Sequence, residues 1–260
     1  MTQTERKELP IIVAESDTRE ILAKARAQAD KRGLDDYFIV DVDSHIGETG
    51  VWAEVMSFLE NDVMRDAVKS FGNGTGRGAF MNDTQGLQWQ NVWGRIPHGQ
   101  GLKEPVDDDS VPRCVTLSRK AMDAMALDYQ IFFPNGMLFL GMHPVREMEV
   151  ELATAYNRWL TEHVLPNEPR MRAFLYLPFN TPDAAQKTVE RFLGKPGVAG
   201  FMVTSTRYQP VHANEYMKTY AMLEEAGVPI GFHAHHNWHN EYTKHLNRFI
   251  SLHSLTFVLS

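Results

Sequence analysis

The chain has 260 residues, 43% hydrophobic and 23% charged, the balance of an ordinary globular protein able to build one large core or two small ones. Its net charge of −7 argues against nucleic acid as the main partner, because phosphate binding needs clustered Lys and Arg. The single cysteine, Cys114, excludes an intrachain disulfide, and no stretch approaches the ~20 apolar residues of a membrane span. Glu5, Arg6, Lys7 and Glu8 leave the N-terminus without the apolar core of a secretory signal, so a cytoplasmic location is expected.

Residues 17–32 predict a helix, with Asp17 as its cap, Glu20 three residues on and Gly33 as its stop. Its apolar stripe is narrow (Ile21, Leu22, Ala25, Ala29), which places it on the surface, and residues 1–36 form an N-terminal helical arm. A strand follows over 37–45. Side chains alternate along a strand, so Ile39, Asp41, Asp43 and His45 share one face and Phe38, Val40, Val42 and Ser44 the other. Two carboxylates and an imidazole are costly to bury unless paired or bound to a metal. The C-terminal ends of strands are also where α/β sheets and barrels carry their chemistry. A turn or helix start capped by Asp43 or Ser44 is the competing reading of the same residues.

Residues 52–69 predict a helix with Trp52, Val55, Met56, Leu59 and Val63 in the core. Residues 71–115 are irregular and read as a lid or insertion. The glycine-rich run from Phe71 to Gly78 follows a helix and leads into loop, without the strand–loop–helix context of a phosphate cradle. Trp89 and Trp93 favour an ordered lid, with Arg95 and His98 as candidate substrate contacts.

Regular alternation then returns. A helix is predicted over 119–127 with Met122, Met125 and Ala126 buried, and a strand over 129–134. Helices over 146–163, 182–193 and 215–225 alternate with strands over 171–178, 198–205 and 229–234. Residues 240–259 open as a helix, with an extended reading open for 255–259. This βα pattern predicts parallel strands with right-handed crossovers. On the fifth strand Gly231, His233 and His235 point one way, with Gly231 leaving room inside and Phe232 packing outward. The span from His233 to His253 holds six of the 11 histidines. Neutral imidazole is the commonest protein metal ligand, and a His-rich solvated loop is the plainer alternative.

Several segments in order carry a family likeness. They are Asp41-Val42-Asp43-Ser44-His45, Arg119 to Asp128, the Ala155-Tyr156-Asn157-Arg158-Trp159-Leu160 helix, Leu177-Pro178, Pro182 to Ala185, and Gly227 to His233. Together they resemble the amidohydrolase superfamily, in its aminocarboxymuconate-semialdehyde-decarboxylase-like branch, over about residues 37–240. The resemblance implies an α/β, TIM-like (β/α)8 metal-dependent hydrolase barrel with a divalent metal, Zn, Mn or Fe, at its C-terminal mouth. Asp43 and His45 match the strand-one ligand positions and His233 the strand-five position. Glu48 and His235 are candidate additional ligands, and Asp41 is a candidate residue to orient His45.

Family members continue into further strands that carry a later histidine and an acidic ligand. A barrel needs ~250 residues without insertions, and this chain shows five strands beside its arm and lid. The expectation is therefore a barrel domain over 37–260 that lacks its last strands, completed within a longer protein or by another chain. No residue is assigned as catalytic acid or base.

The function implied is a metal-dependent non-oxidative decarboxylase or hydrolase of a small carboxylate or aromatic acid. One alternative is an oxygen-activating non-haem Fe or Mn hydroxylase with one or two metals, for which His236 and His239 add to the surplus of ligands. The other is a non-catalytic subunit that supports an active partner. The expected partners are a small-molecule substrate and the other chains of a homo- or hetero-oligomer, without nucleic acid or membrane.

Overall fold

The structure is a computed structural model that describes residues 17–47, 51–71, 106, 110–143, 145–204 and 207–234. The readings on Glu48, Arg95, His98, His235, most of the lid and residues 240–259 lie outside the described residues.

Helix α1, Thr18–Arg32, starts where Asp17 Oδ1 accepts the Arg19 N–H at 2.9 Å and ends on Gly33 at φ 62°. Ala29 is its buried residue, so the helix lies on the surface as its narrow stripe requires. It leads into β1, Val40–Ile46, which starts three residues later than the sequence suggests and leaves Tyr37 and Phe38 exposed. The Asp128 carboxylate fixes this entry, accepting the Ile39 N–H at 2.7 Å.

The helix expected over 52–69 is two helices, α2 Trp52–Ser57 and α3 Asp62–Phe71. Asn61 starts α3 by accepting the Met64 N–H at 3.1 Å, and the freed carbonyls between the helices receive Arg65 at Leu59 and Arg158 at Phe58. The break keeps Leu59 in the core and rotates Val63 out, 78% exposed, which corrects its place in the expected core.

Helix α4, Arg113–Met125, begins six residues before its expected start. Met122 and Ala124 are buried, while Met125 is exposed and Ala126 forms the left-handed cap, so those two are not the core residues expected. Strand β2, Tyr129–Pro134, a 3-10 turn over Gly136–Met142 and α5, Arg146–Arg158, follow, with α5 running on as a π-helical turn over Trp159–Val164. Pro166 ends it, having no N–H to extend the ladder. The remaining elements are β3 Met171–Tyr176, α6 Pro182–Phe192, β4 Val198–Thr204, α7 Met217–Glu225 and β5 Ile230–His233.

Among the described residues the five strands form one parallel sheet in the order β1-β2-β3-β4-β5. On its outer face Met171, Ala173, Leu175, Phe201 and Val203 are fully buried in one core with Leu152, Tyr156, Trp159, Leu160, Val189 and Phe192 of the helices. The sheet is strongly curled. Four strand spacings in a flat sheet would set β1 and β5 ~19 Å apart, yet the rings of His45 on β1 and His233 on β5 lie 5.0 Å apart. The described strands thus form a curled half-barrel that matches an incomplete TIM-like barrel. No described helix is long and apolar enough to cross a membrane.

Candidate metal centre

A register shift in β1 decides which acidic side chains reach the concave side. Between Asp41 and Ser44 the strand advances three residues while β2 advances two, from Gln130 to Phe132. This extra residue is a β-bulge, and bulges re-aim side chains. Asp41 pairs with Gln130 and Ser44 with Phe132 on the outer face, while His45 pairs with Phe133 on the inner one. Asp41 is therefore on the face opposite His45, which corrects the simple alternation. Its carboxylate accepts the Ser44 hydroxyl at 2.6 Å and the Asp43 N–H at 3.1 Å, so it braces the bulge. Val42, within the bulge, is exposed.

Asp43, His45 and His233 converge, each offering one ligand atom, all within 4.8 Å of one another. Asp43 Oδ1 stands 3.2 Å from His233 Nε2 and 3.6 Å from His45 Nε2. Both rings are turned by carbonyls. His45 Nδ1 lies 2.9 Å from Pro134 O, and His233 Nδ1 lies 2.8 Å from Ala234 O. A carbonyl oxygen only accepts, so each Nδ1 carries its proton, and a ring that is neutral then presents its Nε2 lone pair to the carboxylate. With both rings neutral, three acceptors meet with no donor between them, an arrangement that repels itself unless a cation sits there. A proton on His233 is a poor substitute, because burial holds its pKa below the ordinary imidazole value against the lifting effect of the Ala234 carbonyl and Asp43.

The set fits a divalent metal. Two ligands ~2.1 Å from one ion at the tetrahedral angle stand ~3.4 Å apart, and the observed 3.2 and 3.6 Å bracket that spacing. One carboxylate and two imidazoles suit Zn, Mn or Fe. The carbonyl of Pro134, not Asp41, orients His45, and no sequence signal marks a backbone acceptor of this kind.

The floor beside the triad is aromatic. Phe133 stacks on Phe174 at 5.1 Å between centroids, and its ring lies 5.1 Å from that of His233. Gly231 and Gly200 make room for this floor: a Cβ on Gly231 would meet the Phe174 ring at 3.1 Å, and one on Gly200 would meet it at 2.7 Å. Phe232 points the other way and is 47% exposed.

A buried polar hub holds the loops at the mouth. Glu149 of α5 accepts the Tyr176 hydroxyl at 3.1 Å and the Asn180 amide at 3.0 Å. The same Asn180 amide donates to Gly141 O at 2.6 Å, and its oxygen accepts the Tyr208 N–H at 2.7 Å, so the loops after β2, β3 and β4 are tied together. Burial pushes the Glu149 carboxyl up to about 7, against the pull of its Asn180 and Tyr176 hydrogen bonds. A carboxyl whose pKa is raised on folding binds more protons folded than unfolded, so this group's contribution to stability falls as pH rises from 4.5 to about 7. Glu149→Gln is expected to flatten that part of the profile, measured as urea midpoints of variant and parent across the window; parallel profiles would contradict it.

A family model described as amidohydrolase matches residues 116–260. The fold is similar to that of a 5-carboxyvanillate decarboxylase from Novosphingobium aromaticivorans complexed with manganese and 4-hydroxy-3-methoxy-5-nitrobenzoic acid. The TM-score is 0.53 and the identity 15%, over 87% of this chain and 60% of that one. A mutant 5-carboxyvanillate decarboxylase from the same organism, with bound manganese, gives 0.51 and 14% over 87% and 61%. A 2,6-dihydroxybenzoate decarboxylase from Rhizobium gives 0.49 and 16% over 85% and 60%. The chain thus spans about three fifths of the length of these structures, and at such identities the likeness is one of fold. No curated protein matches the sequence significantly.

Proposed function

Since the chain belongs to the amidohydrolase family, we propose that it is a metal-dependent enzyme acting on an aromatic acid, with non-oxidative decarboxylation as its reaction. The observation that carries this reading is the convergence of Asp43, His45 and His233, whose ligand atoms all lie within 4.8 Å of one another. The two manganese-bound 5-carboxyvanillate decarboxylases of similar fold support the choice of substrate class and reaction.

Asp43, His45 and His233 would hold the ion, which when bound supplies a Lewis acid for a carboxylate or phenolate oxygen, or lowers the pKa of a water toward ~7. The chain's own residues do the rest. Pro134 O and Ala234 O hold the proton on each Nδ1, so that the neutral ring turns its Nε2 lone pair inward. Phe133 and Phe174 offer a flat apolar wall against which an aromatic ring packs and water is excluded. The Glu149–Asn180 hub fixes the loops that frame the opening.

The test is anaerobic incubation of the manganese-loaded protein with 2,6-dihydroxybenzoate and with 5-carboxyvanillate. Release of carbon dioxide in step with the decarboxylated phenol is expected. Turnover that requires and consumes oxygen would contradict the reading and favour the hydroxylase.

A further inference from the structure

Glu149 is a carboxyl sealed in the core, 1% exposed, and the groups that hydrogen-bond to it all donate. Tyr176 gives its hydroxyl to Oε1 at 3.1 Å and Asn180 its amide to Oε2 at 3.0 Å. The backbone N–H of Asn180 acts on the same carboxyl. The Asn180 amide has no slack. It also donates to Gly141 O at 2.6 Å in the loop after β2, and its oxygen accepts the Tyr208 N–H at 2.7 Å in the loop after β4. Asn180 itself follows β3 and is buried, so one side chain joins three loops, and the acceptor Glu149 fixes which way round that side chain sits.

A proton on the carboxyl breaks this pattern whichever oxygen takes it. On Oε2 it faces Nδ2 of Asn180, a donor. Relief requires the amide to turn over, which sets its oxygen against Gly141 O and its nitrogen against the Tyr208 N–H, so both ties between loops are lost. On Oε1 the proton makes Tyr176 an acceptor and turns the phenolic hydrogen into a fully buried core. Such a proton is within reach near neutrality, because burial pushes Glu149 up to about 7, against the pull of Asn180, Tyr176 and the exposed Arg146 one turn back on α5. The phenols facing it are Tyr176 of β3 and Tyr216 just before α7. Burial and Glu149 itself raise both above their ordinary value, so they keep their protons throughout. Glu168, the other buried carboxylate among the described residues, differs. Burial raises it, but Arg119 and Arg170 outweigh this and hold it below its ordinary value.

We propose that Glu149 is a proton-sensitive latch: ionised, it locks the loops after β2, β3 and β4 together at the C-terminal end of the sheet, and protonated it lets them part. The latch shares no residue with the metal triad and acts through Asn180, so the frame of the opening tightens as pH rises through neutrality.

The test is hydrogen–deuterium exchange of the full chain, corrected for the pH dependence of the chemical step. The reporter is the Tyr208 N–H, which the Asn180 oxygen protects, and the control is the Ala173 N–H, held by Gly197 O in the sheet. In the parent, Tyr208 protection should fall at least about fivefold between pH ~8.5 and pH ~5.5, centred near 7, while Ala173 stays level. Glu149→Gln presents an N–H where the carboxylate presents its second acceptor, so it should show the low protection at both ends. Tyr176→Phe removes a donor that favours the ionised form and should move the midpoint upward; it decides the matter if Glu149→Gln does not fold. A parent level across the range would overturn the proposal. So would a Glu149→Gln profile as pH-dependent as the parent's, the result expected if a histidine such as His143 after β2 were responsible, or a Tyr176→Phe midpoint that stays or falls.

Discussion

Asn157→Leu is expected to destabilise the protein by about 3 kcal/mol, because it strips the partners from two buried backbone groups at once. The Asn157 amide donates to Tyr176 O at 2.9 Å, and its carbonyl accepts the Tyr176 N–H at 3.0 Å, all in the fully buried core. Those groups have no strand to pair with. Alternate residues of β3 bond to β4, as Ala173 N–H does to Gly197 O and Leu177 N–H to Met202 O, so Tyr176 faces the β2 side. The β2–β3 ladder stops at Phe132 and Ala173. Asn157 replaces the missing strand and lets the sheet open toward the mouth without orphaned polar groups. Leucine keeps the volume and removes both hydrogen bonds. Urea or thermal unfolding checks it: a loss near 3 kcal/mol corresponds to a melting point about 10 °C lower in a chain of this size. A loss under about 1 kcal/mol, the size of an ordinary exposed hydrogen bond, would show that the strand end has another partner.

The second large effect is at Gly200. A Cβ there would lie 2.6 Å from the Pro229 carbonyl and 2.7 Å from the Phe174 ring. The carbonyl is backbone that accepts the Phe201 N–H at 3.1 Å, so it has little freedom to move. Gly200→Ala should therefore cost about 2–3 kcal/mol through overpacking. The strain would push β5 from β4 or tilt Phe174 off Phe133, and either shift disturbs the floor beside His233. The expected result is a lower urea midpoint with weaker manganese binding. An alanine variant as stable as the parent, with unchanged manganese affinity, would show that the strands separate freely at this point.

The elements that recur with clean periodicity were legible in the sequence. Five strands alternating with helices announce a parallel sheet because each strand is a short apolar run and the helices between them carry their own starts and stops, as at Pro182 and Gly227. His45 and His233 stand at strand ends in the sequence, and the curl of the sheet brings them together. What period two could not show is the bulge. It depends on how β1 pairs with β2, a non-local matter, and it moved Asp41 to the outer face. Val63 was misplaced for a similar reason. The break after Ser57 is stabilised by Arg65 and by Arg158, a hundred residues away in sequence, and nothing local marks it. Asn157 lay inside a recognised helix segment, yet its role depends on a ladder that stops early.

The most direct test of the central claim is metal content by mass spectrometry on protein purified without chelator, beside an Asp43→Ala/His45→Ala double variant. The account predicts about one divalent ion per parent chain and none retained by the variant, with both proteins folded by circular dichroism. Equal metal in both, or none in a folded parent offered zinc, manganese and iron, would contradict the assignment of Asp43, His45 and His233 as a metal centre.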